Sequence, residues 1–265
     1  RSSDSKVATE ANQAYRNLRP SLAPVRTTAW MLPFYSSRWQ EVFAYGQFKA
    51  EFKLPFTRLR PYLSTRFIGD LNRNGGRVKG PAGQAAPGAL SESAIVAAAG
   101  VATPRKHGWM AWGEAGGSWQ YFAKRNHTAS IRSDYRGGVN FARGFGAANL
   151  SNEGGWFAMT TVDGVYLSRF NHNTLFYGQN RLGYHAPNAP LQFYLNLNLT
   201  TDVQRMDWAN YFEIGPGVRW RAPGMPNALY LFADFVYGRH MLKGDGSRSR
   251  RYNDFRAGVW YAFTY

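Results

Sequence analysis

The sequence predicts an all-β fold, a transmembrane antiparallel up-and-down β-barrel of about 12 strands with a short N-terminal helix. Three observations predict it. From residue 27 onward, apolar and polar residues alternate with period two, and the alternating segments are separated by clusters of Gly, Pro, Asn and Asp. The chain carries Trp 9, Tyr 16 and Phe 18 in 265 residues, yet its mean hydropathy is only −0.44. A wall with one lipid face and one wet face needs that combination, because its apolar residues are dispersed singly rather than pooled. The last segment, YNDFRAGVWYAFTY, alternates up to the terminal aromatic Tyr265.

The strands are expected at 27–37, 39–54, 57–69, 92–103, 109–123, 130–144, 155–168, 173–184, 190–201, 207–221, 228–239 and 252–265. Each is long enough for a tilted crossing of about 9–11 residues. The cleanest is LQFYLNLNLT, with Leu191, Phe193, Leu195, Leu197 and Leu199 on one face and Gln192, Tyr194, Asn196, Asn198 and Thr200 on the other. The first segment is the weakest, because Pro33 removes a ladder donor. Loop lengths argue for keeping it. With an even strand number and both termini periplasmic, the Gly-rich stretch 70–91 and the basic loop 240–251 fall on the outer side, where barrels keep their long loops. Stretch 145–154 is then an unusually long periplasmic turn. In the last strand, Phe255, Ala257, Val259, Tyr261, Phe263 and Tyr265 share the lipid face. A terminal aromatic after such a run resembles the signal read by the bacterial barrel-assembly machinery, which makes that machinery an expected partner through the Tyr265 strand.

Residues 1–25 form a separate unit in this reading, and 26–265 the barrel. Residues 1–19 favour a short helix, capped at Ser5 and stopped at Pro20. It is read as the end of a missing periplasmic domain, as a plug entering the barrel, or as a tail. The start at Arg1, with no charged-then-apolar leader, reads as a mature or excised fragment.

Lys and Arg number 32 against 16 Asp and Glu, a net charge of +16. The basic residues recur along strand-like segments and are not pooled in a helix or tail, which argues against nucleic acid. A positive lumen, or loops facing lipopolysaccharide, fits this dispersion better. No run of about 18 apolar residues exists, so no transmembrane helix is expected. There is no Cys, hence no disulfide framework, and no cofactor or metal cluster is expected.

Sorting each strand by its apolar face gives a lumen list. Its basic members are Lys49, Lys53, Arg58, Arg60, Arg66, Arg132, Arg136, Arg169, Arg181, Arg219, Arg221 and Arg256; its acidic members are Glu51, Glu114, Asp134, Asp163, Glu213, Asp234 and Asp254. Arg or Lys on the lipid face would cost about 2–4 kcal/mol at mid-membrane, which favours the inward assignment. Arg132, Asp134 and Arg136 are expected to pair across to neighbouring strands. Lumenal Tyr62, Trp112, Phe122, Tyr177, Tyr194, Tyr211, Tyr230 and Trp260 would stack on pyranose rings, with Arg forking onto hydroxyls or carboxylates. The same charges also serve as a salt-bridged wall. Catalysis is not expected. His107, His127, His172, His185 and His240 fall at loops or strand ends, and no GxSxG or HExxH occurs.

Seven segments, YSSRWQEVFAYGQFKAEF, RPYLSTRFIGD, GEAGGSWQYF, DYRGGVNFARGFG, DGVYLSRFNHNTLFYGQNRLGY, WANYFEIGPGVRWR and YNDFRAGVWYAFTY, resemble the C-terminal domain of the bacteriophage adsorption protein A family (NfrA-type). The resemblance spans roughly residues 35–265, in order. It implies an outer-membrane exopolysaccharide-secretion barrel whose outer loops a phage can use as a receptor. It also implies a preceding periplasmic tetratricopeptide-repeat domain, an inner-membrane glycan synthase and an exported polysaccharide, neutral or anionic, as partners. It supplies no catalytic residues. Asp134, Arg136, Asp163, Arg169, Arg181, Glu213, Arg219, Asp254 and Arg256 stand at matched positions and are expected to line the lumen. Two other readings remain, a non-transporting anchor or receptor and an outer-membrane lipid-modifying enzyme.

Overall fold

The computed structural model describes residue 7 and residues 23–71, 93–121, 131–148, 154–221, 224–226, 228–242 and 250–265. The expected helix over 1–19, the outer stretch 70–91, Phe122 and most of the basic loop 240–251 lie largely or wholly outside the described residues.

Twelve antiparallel strands close into one barrel, each bonded to its sequence neighbours and β1 to β12. They are β1 (Val25–Ser36), β2 (Glu41–Phe52), β3 (Arg60–Asp70), β4 (Ala94–Ala102), β5 (Trp109–Gln120), β6 (Arg132–Gly146), β7 (Gly155–Leu167), β8 (Asn173–His185), β9 (Leu191–Asp202), β10 (Tyr211–Trp220), β11 (Leu229–His240) and β12 (Arg251–Thr264). Closure leaves no sheet edge, the condition for a sheet to cross lipid. At the seam, Thr27 and Tyr265 exchange backbone bonds of 2.8 Å in both directions, so the terminal residue itself completes the ring.

The weak first segment is a strand despite Pro33. The β1–β12 ladder runs from Met31↔Tyr261 to Phe34↔Gly258 with no partners recorded between, and the register is the same on both sides. Pro216 leaves the same kind of gap between β10 and β11, from Ile214↔Tyr237 to Gly217↔Asp234. A missing N–H thus opens a ladder locally without slipping it. The expected tenth strand starts late. Asp202 accepts the Met206 N–H at 3.0 Å, Asn210 folds back to the Met206 carbonyl at 2.7 Å, and Asp207–Ala209 form a single 3-10 turn.

The outer face is apolar. Phe48, Leu63, Leu182, Phe193 and Phe235 are all at least half exposed. An unbroken apolar surface of that kind is stable only against lipid. Aromatics ring both ends: Trp109, Trp156, Tyr184 and Trp220 on the side of the chain termini, and Tyr35, Trp119, Tyr135 and Tyr166 on the other. Asn180, on the outer face, is satisfied from within the wall by the Thr160 hydroxyl at 2.9 Å. The inner face is polar and buried, as β9 shows with Gln192, Asn196, Asn198 and Asp202 between exposed leucines. No helix among the described residues is long and apolar enough to cross a membrane; this chain crosses with strands. A closed antiparallel barrel with a lipid-facing belt and a polar interior is an outer-membrane architecture, and the chain is an outer-membrane β-barrel.

Candidate functional site, the barrel lumen

Among the described residues, two cavities stand out inside the barrel. The one on the side away from the termini is a cavity of about 520 Å³. Its wall is largely apolar: Trp30, Leu32 and Phe34 from β1, Phe43 and Tyr45 from β2, Ile68, Leu175 and Trp208. Arg38, Glu213, Asp254 and Arg256 add charge at one side. The second cavity, of about 230 Å³, lies nearer the termini and is lined by Gln47, Lys49, Tyr62, Met110, Trp112, Asn140 and Asp163. Arg66, Arg136 and Leu167 border both compartments, so the lumen narrows there.

Ion pairs brace the wall. Glu51 binds Arg26 and takes Lys49 at 2.7 Å along its own strand. Arg66 Nε donates to Glu114 at 2.8 Å and its guanidinium lies 4.9 Å from the Trp112 ring centroid. Arg136 forks onto both Asp134 oxygens at 2.6 and 2.7 Å, and Arg169 approaches the same carboxylate at 3.6 Å. Arg256 bridges Glu213 and Asp254. Arg38, in the turn after β1, lies 3.4 Å from the Tyr252 ring centroid and donates its backbone N–H to Asp254. Burial lowers the Arg38 pKa, opposed by its interactions with Tyr252, Glu213 and Asp254.

Among the described residues, one local device is found at three places. A tyrosine faces a glycine on the next strand, and that glycine faces a carboxylate on the strand beyond. The triplets are Tyr62–Gly100–Glu114, Tyr194–Gly217–Asp234 and Tyr252–Gly238–Glu213. In each, the ring lies over the glycine and its hydroxyl donates to the carboxylate, at 3.0, 2.9 and 2.9 Å respectively. A Cβ at Gly100 would stand 2.6 Å from Tyr62 Cζ, and the other two glycines are as crowded, so only glycine allows the ring to lie flat.

The other residues expected to line the lumen separate by place. Tyr177 and Tyr211 line the larger cavity, Trp260 stacks on Trp30 with ring centroids 5.9 Å apart, and Asp163 accepts from Asn140 at 2.7 Å. Arg181 lies over the Tyr194 ring and Arg219 over Tyr230. Arg60 is the first residue of β3 and has an interaction partner. Others stand at or beyond the strand ends. Lys53 and Arg58 are exposed in the turn after β2, Arg221 lies beyond the end of β10, and Arg132 is exposed at the first position of β6. Arg169 reaches inward from the β7–β8 turn. Arg136 turns along its own strand to Asp134, its neighbour on one face, and Asp134 also meets Arg169 from the β7–β8 turn.

The apolar face of the larger cavity was not foreseen. In β1, Trp30, Leu32 and Phe34 point inward while Ala29, Met31, Pro33 and Tyr35 point outward. Both faces are apolar, so alternation carries no sign there. Charge in the β1–β2 turn was the available signal for Arg38. Buried Glu41 and Asp70 stand at the ends of β2 and β3 on the side away from the termini.

No family model matches the chain, and no curated protein does. Among solved structures it is similar to the β domain of the Bordetella autotransporter BrkA, at 15% identity over 90% of this chain and 98% of that one, with a TM-score of 0.34. It is also similar to the NanC porin, at 9% identity over 89% and 98% with a TM-score of 0.39. The translocator domain of the autotransporter NalP from Neisseria meningitidis matches at 12% identity over 98% of both chains, with a TM-score of 0.31. These are likenesses of barrel to barrel and say nothing of activity.

Proposed function

We propose that the barrel is a conduit that carries an exported polysaccharide across the outer membrane. The observation that carries the reading is the pair of lumen compartments that meet at Arg66, Arg136 and Leu167. Aromatic rings stand along both, Trp30, Trp208 and Tyr211 in one and Tyr62 and Trp112 in the other. Ring faces bind the C–H faces of sugars, and guanidinium and amide groups bond their hydroxyls, so an extended glycan finds partners along the whole path. The bore suits a single chain and not a folded protein. The resemblance to the phage adsorption family supports the same reading and adds a role for the outer loops as a phage receptor. Residues 1–25 then act as the end of a periplasmic repeat domain or as a plug. Single-barrel conductance in planar bilayers, with and without those residues, tests the conduit; polymer-dependent block of the current is the expected result.

The second reading is a sealed anchor that displays its loops. The ion pairs of Arg66 and Arg136 at the narrowing favour it. Conductance indistinguishable from bare bilayer, with surface glycan unchanged when the gene is deleted, would select it.

A further inference from the structure

The tyrosine–glycine–carboxylate device ends differently at its three sites. Glu114 collects Arg66 as well as Tyr62, and Glu213 collects Arg256 as well as Tyr252. Asp234 takes the Tyr194 hydroxyl and, among the described residues, no arginine. Two arginines nevertheless stand beside it. Arg181 lies with its guanidinium 4.8 Å from the Tyr194 ring centroid, and Arg219 lies 5.3 Å from that of Tyr230. Neither forms an ion pair among the described residues. Arg181 Nε donates to Asn196 Oδ1 at 3.1 Å, while the buried Arg219 Nε has no acceptor among the described residues.

That one bond fixes the orientation of Asn196. Its oxygen is used by Arg181, so its amide nitrogen is the free end, and that nitrogen is buried without an acceptor on a residue 1% exposed. Arg219 Nε and the Asn196 amide are thus donors without acceptors among the described residues, and Arg181 spends its Nε on a neutral oxygen. A barrel wall has no use for such a cluster, since like charges repel and buried donors without acceptors are costly. A ligand with paired anionic oxygens supplies what is missing. Guanidinium forks take carboxylates bidentately, and both arginines remain partly open to the lumen. The Tyr194 and Tyr230 rings beside them offer flat faces for a pyranose ring.

We propose that Arg181, Arg219 and Asn196 form a carboxylate-binding subsite in the lumen wall, and that the polymer this barrel carries is an acidic glycan. The polymer part rests on the export reading; the subsite does not.

The test is calorimetric titration of the full chain, refolded in detergent, with a short oligouronide, a neutral malto-oligosaccharide and inorganic phosphate. The oligouronide is expected to bind saturably and at least tenfold more tightly than either of the others. Arg181→Gln with Arg219→Gln should weaken it at least tenfold, with the heat-modifiable gel mobility of a folded barrel retained. If that variant does not fold, Asn196→Asp serves instead. It keeps both arginines and fills the cluster with a carboxylate of its own, so the oligouronide should be excluded from a barrel that is fully folded. No binding by the unmodified chain, equal binding by either variant, or phosphate binding as tight as the oligouronide would overturn the subsite. A barrel that binds the oligouronide and passes no current keeps the subsite and discards export. A barrel that conducts and is blocked equally by acidic and neutral polymer keeps export and discards the subsite.

Discussion

Around Glu114 and Glu213 the lumen wall is complete: each carboxylate receives a tyrosine hydroxyl laid over a glycine, and each is neutralised by an arginine. Around Asp234 the same tyrosine arrives over the same kind of glycine, but the two nearby arginines are held by stacking on Tyr194 and Tyr230. The three sites share the cross-strand triplet, with the strand order reversed at Tyr252–Gly238–Glu213 and the shorter Asp234 at the third. What differs is whether the charge is spent inside the wall or left facing the lumen. The first two sites brace the barrel, and the third is built to meet something else.

The sharpest way to break this comparison is to remove an arginine from each region. Arg256→Met leaves Glu213 and Asp254 buried without their cation, and should cost about 3–5 kcal/mol in urea-dependent unfolding from lipid vesicles. Next in size is the glycine under the ring. Gly100→Val drives a side chain into Tyr62 and should cost about 1–3 kcal/mol, with the Tyr62–Glu114 bond lost from the structure of the variant. Asn196→Asp makes the third region resemble the first two by giving Arg181 an anionic partner; a gain of about 1 kcal/mol in the same unfolding measurement is expected. The smallest effect belongs to Arg219→Gln, which removes a charge that forms no ion pair among the described residues and should shift stability by no more than about 0.5 kcal/mol. If Arg219→Gln cost as much as Arg256→Met, the two regions would be energetically alike and the distinction would fall.

Much of the barrel was legible in the sequence because its strands alternate cleanly. Leu191 to Leu199 point out and Gln192 to Thr200 point in, and a lipid face and a wet face leave opposite marks on such a segment. Where both faces are apolar the mark vanishes. The inward Trp30, Leu32 and Phe34 could not be told from outward Ala29, Met31 and Tyr35, so the apolar compartment was invisible. Trp208 and Ala209 read as strand, yet the Asp202 carboxylate captures the turn ahead of them and delays β10 to Tyr211. The charged residues of the lumen could be named, but not their partners. Pairing depends on register between strands: Tyr194 reaches Asp234 only because Gly217 lies between them in two ladders. Alternation along one strand contains no register, so the recurrent device and its incomplete third copy emerge only from the closed barrel.

The conduit claim meets its most direct test in single-barrel recordings across a planar bilayer, made on the chain with and without residues 1–25. Discrete conductance steps above the bare bilayer, blocked reversibly by a short oligouronide and not by a neutral malto-oligosaccharide, are the predicted result. A current indistinguishable from bare bilayer in both forms would contradict it.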